Sequence, residues 1–218
     1  MKIDTHIHTC YSYDSDMHPK DIIATAKERG LGGVIICDHD TIKGGVETDN
    51  YNDDPSFTVI IGAEIKTNAG DIMGFPLTEE IVSRDADMVC DEIHRQGGKT
   101  VLVHPYEAHD LELIDFSKID FIEVINARVN KEKNERALAL AKKYNKPILA
   151  GSDAHRYNEI GNAYIFVESK DLLNAQPTLV KSSTIMDQTI SQLIKARKYK
   201  SPKIAFQALI SHFKRSVL

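Results

Sequence analysis

Residues 1–40 read MKIDTHIHTCYSYDSDMHPKDIIATAKERGLGGVIICDHD. They contain a strand, a helix and a second strand, with histidines and acids at both strand ends. In the first eight residues Ile3, Thr5 and Ile7 alternate with Asp4, His6 and His8, the period of two expected of a strand. Asp16 or Ser15, followed by Pro19, opens a helix carrying Ile22, Ile23 and Ala26, and Gly30 ends it. Gly32–Asp38 is a continuous apolar run, as a strand buried on both faces requires.

The same alternation continues outward. Phe57–Ile65 predicts another strand, and NAG followed by DIMGF predicts a hairpin after it. Ala86, Val89, Cys90 and Ile93 fall at helical spacing and stop at Gly97-Gly98. Thr100–Pro105 and Asp120–Asn126 read as strands; Ala137, Leu140, Ala141 and Tyr144 mark a helix. Pro147–Asp153 and Ala163–Glu168 complete the strands. Repeated strand–helix alternation predicts βαβ units in a parallel sheet or barrel, with functional groups at the C-terminal strand ends. His6 and His8, Asp38-His39-Asp40, Glu64, His104, and Asp153 with His155 all fall at such ends.

Composition narrows the class. With 218 residues, 42% hydrophobic and 27% charged, the chain reads as an ordinary globular protein. No apolar run approaches the ~20 residues of a membrane span, and no secretory signal precedes Asp4. Three cysteines without CxxC spacing fit a reducing, cytoplasmic compartment rather than a disulfide framework. The formal charge of −5 conceals an asymmetry: after Asp187 there are seven basic residues and no acidic one, leaving 20 basic and 32 acidic residues in 1–187. Residues 177–218 read as two amphipathic helices broken at Ser201-Pro202. The second carries Phe206, Leu209, Ile210, Phe213 and Val217. This extension is too short to fold alone, so residues 1–176 are expected to form the body, with 177–218 packed on it or on a partner subunit. A homo-oligomer through these helices is one expectation; a basic handle for a polyanion is the competing one.

Imidazole nitrogen and carboxylate oxygen together suit Zn, Mn or Fe, and residues i and i+2 of a strand face one side, so His6 and His8 can grip one ion. The segments DTHIHT, CDHDT, GAEI, VHPY and GSDAH, in that order over residues 4–155, resemble the PHP (polymerase and histidinol phosphatase) superfamily of metal-dependent phosphoesterases. The resemblance covers about the first 170 residues. It implies an α/β fold, a distorted (β/α)7 barrel, with two or three divalent transition-metal ions (Zn, Mn or Fe) at its mouth. It further implies that His6, His8 and Asp153 hold one ion, that Glu64 bridges to a second bound by His104, and that His39, His155 and an acid of the first loop hold a third. Asp14 is the choice for that acid, with Asp16 as the alternative. Where many relatives supply further histidines this chain has Asp71, Glu123 and Asn126; Asp71 is either a ligand or a hairpin residue.

The implied reaction is attack of a metal-bound hydroxide on phosphorus, since coordination lowers the pKa of water towards ~7. No protein nucleophile is needed. Asp38 and Asp40 read as carboxylates orienting the imidazoles, with Asp40 a minor candidate for proton donation. Arg128 and Arg156 are candidate phosphate ligands, and Tyr106 and His109 candidates for contact with the rest of the substrate. His18, His94 and His212 read as surface or packing residues. The expected substrate is a phosphorylated small molecule or a nucleic-acid end, with no membrane partner. The alternatives are a histidinol-phosphate phosphatase, or a regulatory module that binds metal without catalysis.

Overall fold

The computed structural model describes residues 1–168 and 172–216. Strand β1 (Lys2–Ile7) is followed by α1 (Pro19–Glu28), β2 (Gly33–His39), α2 (Lys43–Asn50) and β3 (Thr58–Thr67). These three strands run parallel, and β2 is buried almost end to end as its apolar run requires. The hairpin at Gly70 then turns the chain into β4 (Gly70–Phe75), antiparallel to β3. Helix α3 (Ala86–Arg95) leads into β5 (Lys99–Leu102), followed by β6 (Phe121–Asn126), α4 (Lys131–Lys143) and β7 (Ile148–Gly151). Two antiparallel strands, β8 (Ala163–Phe166) and β9 (Gln176–Leu179), precede α5 (Ile185–Lys198) and α6 (Pro202–Ser216).

The nine strands form one sheet in the order β7-β6-β5-β4-β3-β2-β1-β8-β9. It curls until β1 lies beside β7, where Thr5 Oγ1 donates to Ala150 O at 3.0 Å and His8 N to Ala154 O at 2.9 Å. Asp4 ties the seam. It is fully buried, and its carboxylate accepts from Ser152 N at 2.9 Å and Gly161 N at 2.8 Å. The result is an α/β fold with a nearly closed barrel-like sheet. The core follows the predicted periodicities: Val89, Cys90 and Ile93 of α3 pack on Ile72, Leu102 and Ile122, while Ile22, Ile23 and Ala26 of α1 pack on Val34 and Ile36.

Several expectations are corrected. The sheet is mixed rather than parallel throughout, because the β3–β4 hairpin and the β8–β9 return reverse direction. Helix α1 starts at Pro19 with His18 as its cap, accepting from Lys20 N, while Asp16 turns to Arg197. Helix α2 escaped the pattern because Gly44, Gly45 and polar neighbours give no apolar stripe. Gly44 is needed there, since a Cβ would collide with the Asp38 carboxylate and the Thr9 hydroxyl. The apolar stripe of α6 does not bury itself on the barrel: Phe206 is 65% and Phe213 70% exposed. Helix α6 instead meets α5 through the small Ala208 and through His212, whose Nδ1 lies 2.9 Å from Thr189 Oγ1. That contact turns the phenylalanines outward; Val217 lies outside the described residues. Among the described residues no helix is long and apolar enough to cross a membrane.

Candidate metal centre

The strand ends and the loops after them bring eight side chains to one mouth of the barrel. Glu64, on β3, is central: its Oε2 lies 3.5 Å from His6 Nε2, 3.4 Å from His8 Nε2 and 3.1 Å from His39 Nδ1, and its Oε1 2.8 Å from His104 Nε2. Asp153 Oδ1 lies 3.3 Å from His8 Nε2, 3.4 Å from His155 Nδ1 and 3.7 Å from His6 Nε2. Asp14 Oδ1 sits 3.1 Å from His155 Nε2 and 3.5 Å from His39 Nε2. These separations are those of donors around a shared ion, since metal–ligand bonds of about 2.0–2.2 Å put neighbouring ligands roughly 3–3.5 Å apart. Asp16, by contrast, faces Arg197 at 2.6 Å, so the structure brings Asp14 and not Asp16 to the histidines.

The tautomers are set from behind. His6 Nδ1 donates to Glu123 Oε1 at 2.9 Å, His8 Nδ1 to Ser12 Oγ at 3.0 Å, and His155 Nδ1 to the Asp153 carbonyl at 2.9 Å. Each leaves Nε2 bare and aimed at the mouth. His6 Nε2, His8 Nε2, His155 Nε2, Asp14 Oδ1 and Glu64 Oε2 are all buried with no hydrogen-bond partner among the described residues. Leaving a buried polar atom unmade costs ~1–3 kcal/mol, so five at one point fit divalent ions well. Four sets of ligand atoms lie within 4.8 Å of one another: His6, His104 and Asp153; His8, His39 and His155; Glu64, Asp71 and His104; and His6, His8 and Cys37. His8 therefore sits as close to His39 and His155 as to His6, a grouping that strand pairing alone did not suggest. Asp71 joins a ligand set from β4.

Electrostatics agree. Burial, with the rings of His155 and His39 alongside, holds His8 down to about 3, so the ring is neutral and able to ligate. Burial opposes ionisation of Glu64, yet His39 and His6 overcome it and keep the carboxyl well below its ordinary range. Backbone strain collects here too: His104 has φ 29° and Asp153 φ 54°, the left-handed region that non-glycine residues avoid.

The PHP-associated family matches residues 131–176. Two proteins of Methanocaldococcus jannaschii, both uncharacterized, are similar in sequence. MJ1587 is 37% identical over 58% of this chain and 82% of its own length; MJ0417 is 34% identical over 76% and 70%. A crystal structure from Bacteroides vulgatus, of a two-domain protein containing a predicted PHP-like metal-dependent phosphoesterase, superposes with a TM-score of 0.68. It is 16% identical, over 82% of this chain and 64% of that one, and shares the fold. Residues 131–176 thus match the PHP-associated family, and the fold is that of PHP-like structures.

Around the mouth of this barrel, other residues singled out from sequence have different tasks. Arg128 is not a free cation: it donates to Glu159 Oε1 at 3.0 Å and Ser191 Oγ at 3.0 Å. Arg156 is paired with Asp187 at 2.7 Å and lines a separate hollow beside Tyr157. Asp40 accepts from Lys66 N at 3.1 Å and faces Arg84, outside the cluster. Asp38 holds Thr9 and Ser12, and Ser12 in turn holds His8. Tyr106 lies under Arg136, 4.0 Å from ring centroid to guanidinium, and His109 accepts from Asp71 N at 3.0 Å. A cleft of about 580 Å³ opens beside His104 and Asp153, and its far wall is formed by Gln188 and Gln192 of α5 and His212 and Arg215 of α6. His212, read from sequence as a surface or packing residue, lines that cleft.

Sequence reasoning missed Ser12, Glu159 and the orienting role of Glu123. An acid in the middle of the apolar run FIEVI was the available signal for Glu123; nothing marked Ser12 among the loop serines.

Proposed function

We propose that this protein is a metal-dependent phosphoesterase acting on a phosphomonoester or on a nucleotide or oligonucleotide phosphoester. The observation that carries the reading is the convergence of five buried, unpartnered ligand atoms from His6, His8, Asp14, Glu64 and His155 on one barrel mouth. Divalent ions bound there would supply Lewis acidity toward a phosphoryl group and make nearby water more acidic. The chain's own contribution is geometric. Glu123 and Ser12 fix which nitrogen of His6 and His8 faces the mouth, and the barrel wall excludes bulk water from Glu64, which is 1% exposed. The adjoining cleft has the size of a small-molecule site; Arg215, bonded to the neutral Gln188, gives it positive charge, while Lys133 is paired with Glu107 at 2.6 Å. The likeness in fold to a protein containing a predicted PHP-like metal-dependent phosphoesterase supports the reaction class. Histidinol phosphate falls within the proposed substrates. A module without catalysis is the reading disfavoured by ligand candidates at five strand ends.

The test is elemental analysis after growth with Zn, Mn and Fe, followed by phosphate or nucleotide release from a panel of nucleotides, oligonucleotides and sugar phosphates. His39→Ala and Asp153→Ala are expected to abolish release in a folded chain. Fewer than one ion per chain, or unchanged turnover in His39→Ala, would overturn the reading.

A further inference from the structure

The last turns of α5 reach the loop that carries Asp14. Lys198 Nζ donates to three backbone carbonyls of that loop, Cys10 O at 2.8 Å, Ser12 O at 2.7 Å and Ser15 O at 2.6 Å. An ammonium has three donors, so one loop absorbs its whole hydrogen-bonding capacity. Arg197 pairs with Asp16 of the same loop at 2.6 Å. Lys195 Nζ stands 4.1 Å from the ring centroid of Tyr13, and Tyr13 stacks on His39 at 4.3 Å with an interplanar angle of 3°.

The opposite side of the loop is held by Asp38, which accepts from Thr9 N at 2.6 Å and from Ser12 Oγ at 2.6 Å. Asp14 is carried between these two anchors. Within the loop, backbone bonds join Cys10 N to Met17 O and Ser12 N to Thr9 O. Three carbonyls converging on one point repel one another unless a cation satisfies them. Helix α5 is itself fixed at its other end, by the Thr184–Asp187 capping box and the Arg156–Asp187 pair.

We propose that Lys198 is a positioning residue that holds the loop bearing Asp14 in its metal-binding shape, so that α5 sets the affinity of the ion bound by Asp14, His39 and His155. This rests on the metal-binding reading above. It also gives part of the basic stretch a use: Lys195, Arg197 and Lys198 all contact this loop.

The experiment is a titration of metal-stripped protein with Mn2+, read as the number and affinity of ions bound, beside the melting temperature of the metal-free chain. Lys198→Met keeps the aliphatic stem and removes the ammonium. It is expected to weaken one ion at least tenfold and leave the others unchanged. Asp14→Asn is expected to weaken the same ion, and the double variant to show no further loss. Should the methionine variant not fold, Lys198→Gln is read in the same way. Wild-type affinities in the Lys198 variant, beside a lost ion in Asp14→Asn, would overturn this proposal alone. Uniform weakening of every ion with a lower metal-free melting temperature would also overturn it, since helix docking then explains the contacts. Wild-type protein that binds no ion would overturn the metal reading and this proposal with it.

Discussion

Glu123 sits 1% exposed in β6, where its two oxygens accept from His6 Nδ1, from His104 N at 2.9 Å and from Asn126 Nδ2 at 3.0 Å. All three partners donate, so only a carboxylate satisfies them together. Glu123→Gln brings an NH2 group against one of these donors and frees His6 to take the other tautomer. The expected outcome is a ~10–100-fold loss of metal affinity with the fold retained, the usual cost of losing a group that orients a ligand. Metal titration with circular dichroism checks this, and unchanged affinity would show that Glu123 orients nothing. Seven of the eight proposed ligands stood out in sequence, because histidines and acids at strand ends break an apolar pattern; Asp14, in the loop after β1, followed from the family resemblance, with Asp16 as the alternative. Arg128 and Arg156 misled for the opposite reason. A sequence displays their charge but not their partners, and Glu159 and Asp187 each lie 31 residues further along.

At the scale of elements, α6 covers little of the barrel yet lines the cleft. Ala208 is its one buried residue among those described, whereas Ala208, Ser211, His212 and Arg215 all face the cavity. Ending the chain after Ser201 therefore removes a wall of the cleft and little of the core. The expected outcome is a higher KM with a small change in kcat, and a melting temperature lowered by no more than ~2–4 °C, the equivalent of about 1 kcal/mol in a chain this size. Kinetics on any phosphoester the protein turns over, with thermal melting, decide it. A large loss of stability with KM unchanged would return α6 to a purely structural role. The helix existed in the sequence as a stripe of Phe206, Leu209, Ile210 and Phe213, but its orientation did not. Small and polar residues on the opposite side won the contact with α5. Strands β4, β8 and β9 show a related limit: periodicity reports that a strand exists, while its direction depends on where the preceding turn sends the chain.

For the molecule as a whole, the site should couple folding to metal and to pH. In the metal-free chain burial disfavours a charged His39, but Glu64 and Asp14 outweigh it and raise its pKa from 6.5 to about 9. Burial likewise opposes charge on His104, and Glu64 raises it to about 9. A folded-state pKa above the unfolded value stabilises the fold fully below pH 6.5 and loses that contribution as pH rises through about 9. The metal-free protein should therefore weaken across this interval, as Glu64, Asp14 and Asp153 lose their cationic partners. Metal ions need the neutral rings and displace those protons, so their affinity rises over the same interval. At an ion concentration ~100-fold above Kd, binding adds about 2.7 kcal/mol, and with ~2–4 °C per kcal/mol the loaded protein should melt about 5–10 °C higher. The gap between loaded and stripped protein should then widen from pH 6 to pH 9. Paired melts in matched buffers, with and without a chelator, measure it. A gap that stayed constant would mean that His39 and His104 are not protonated when the ions are absent, and a gap that narrowed would mean that the ions and the protons do not compete for these rings.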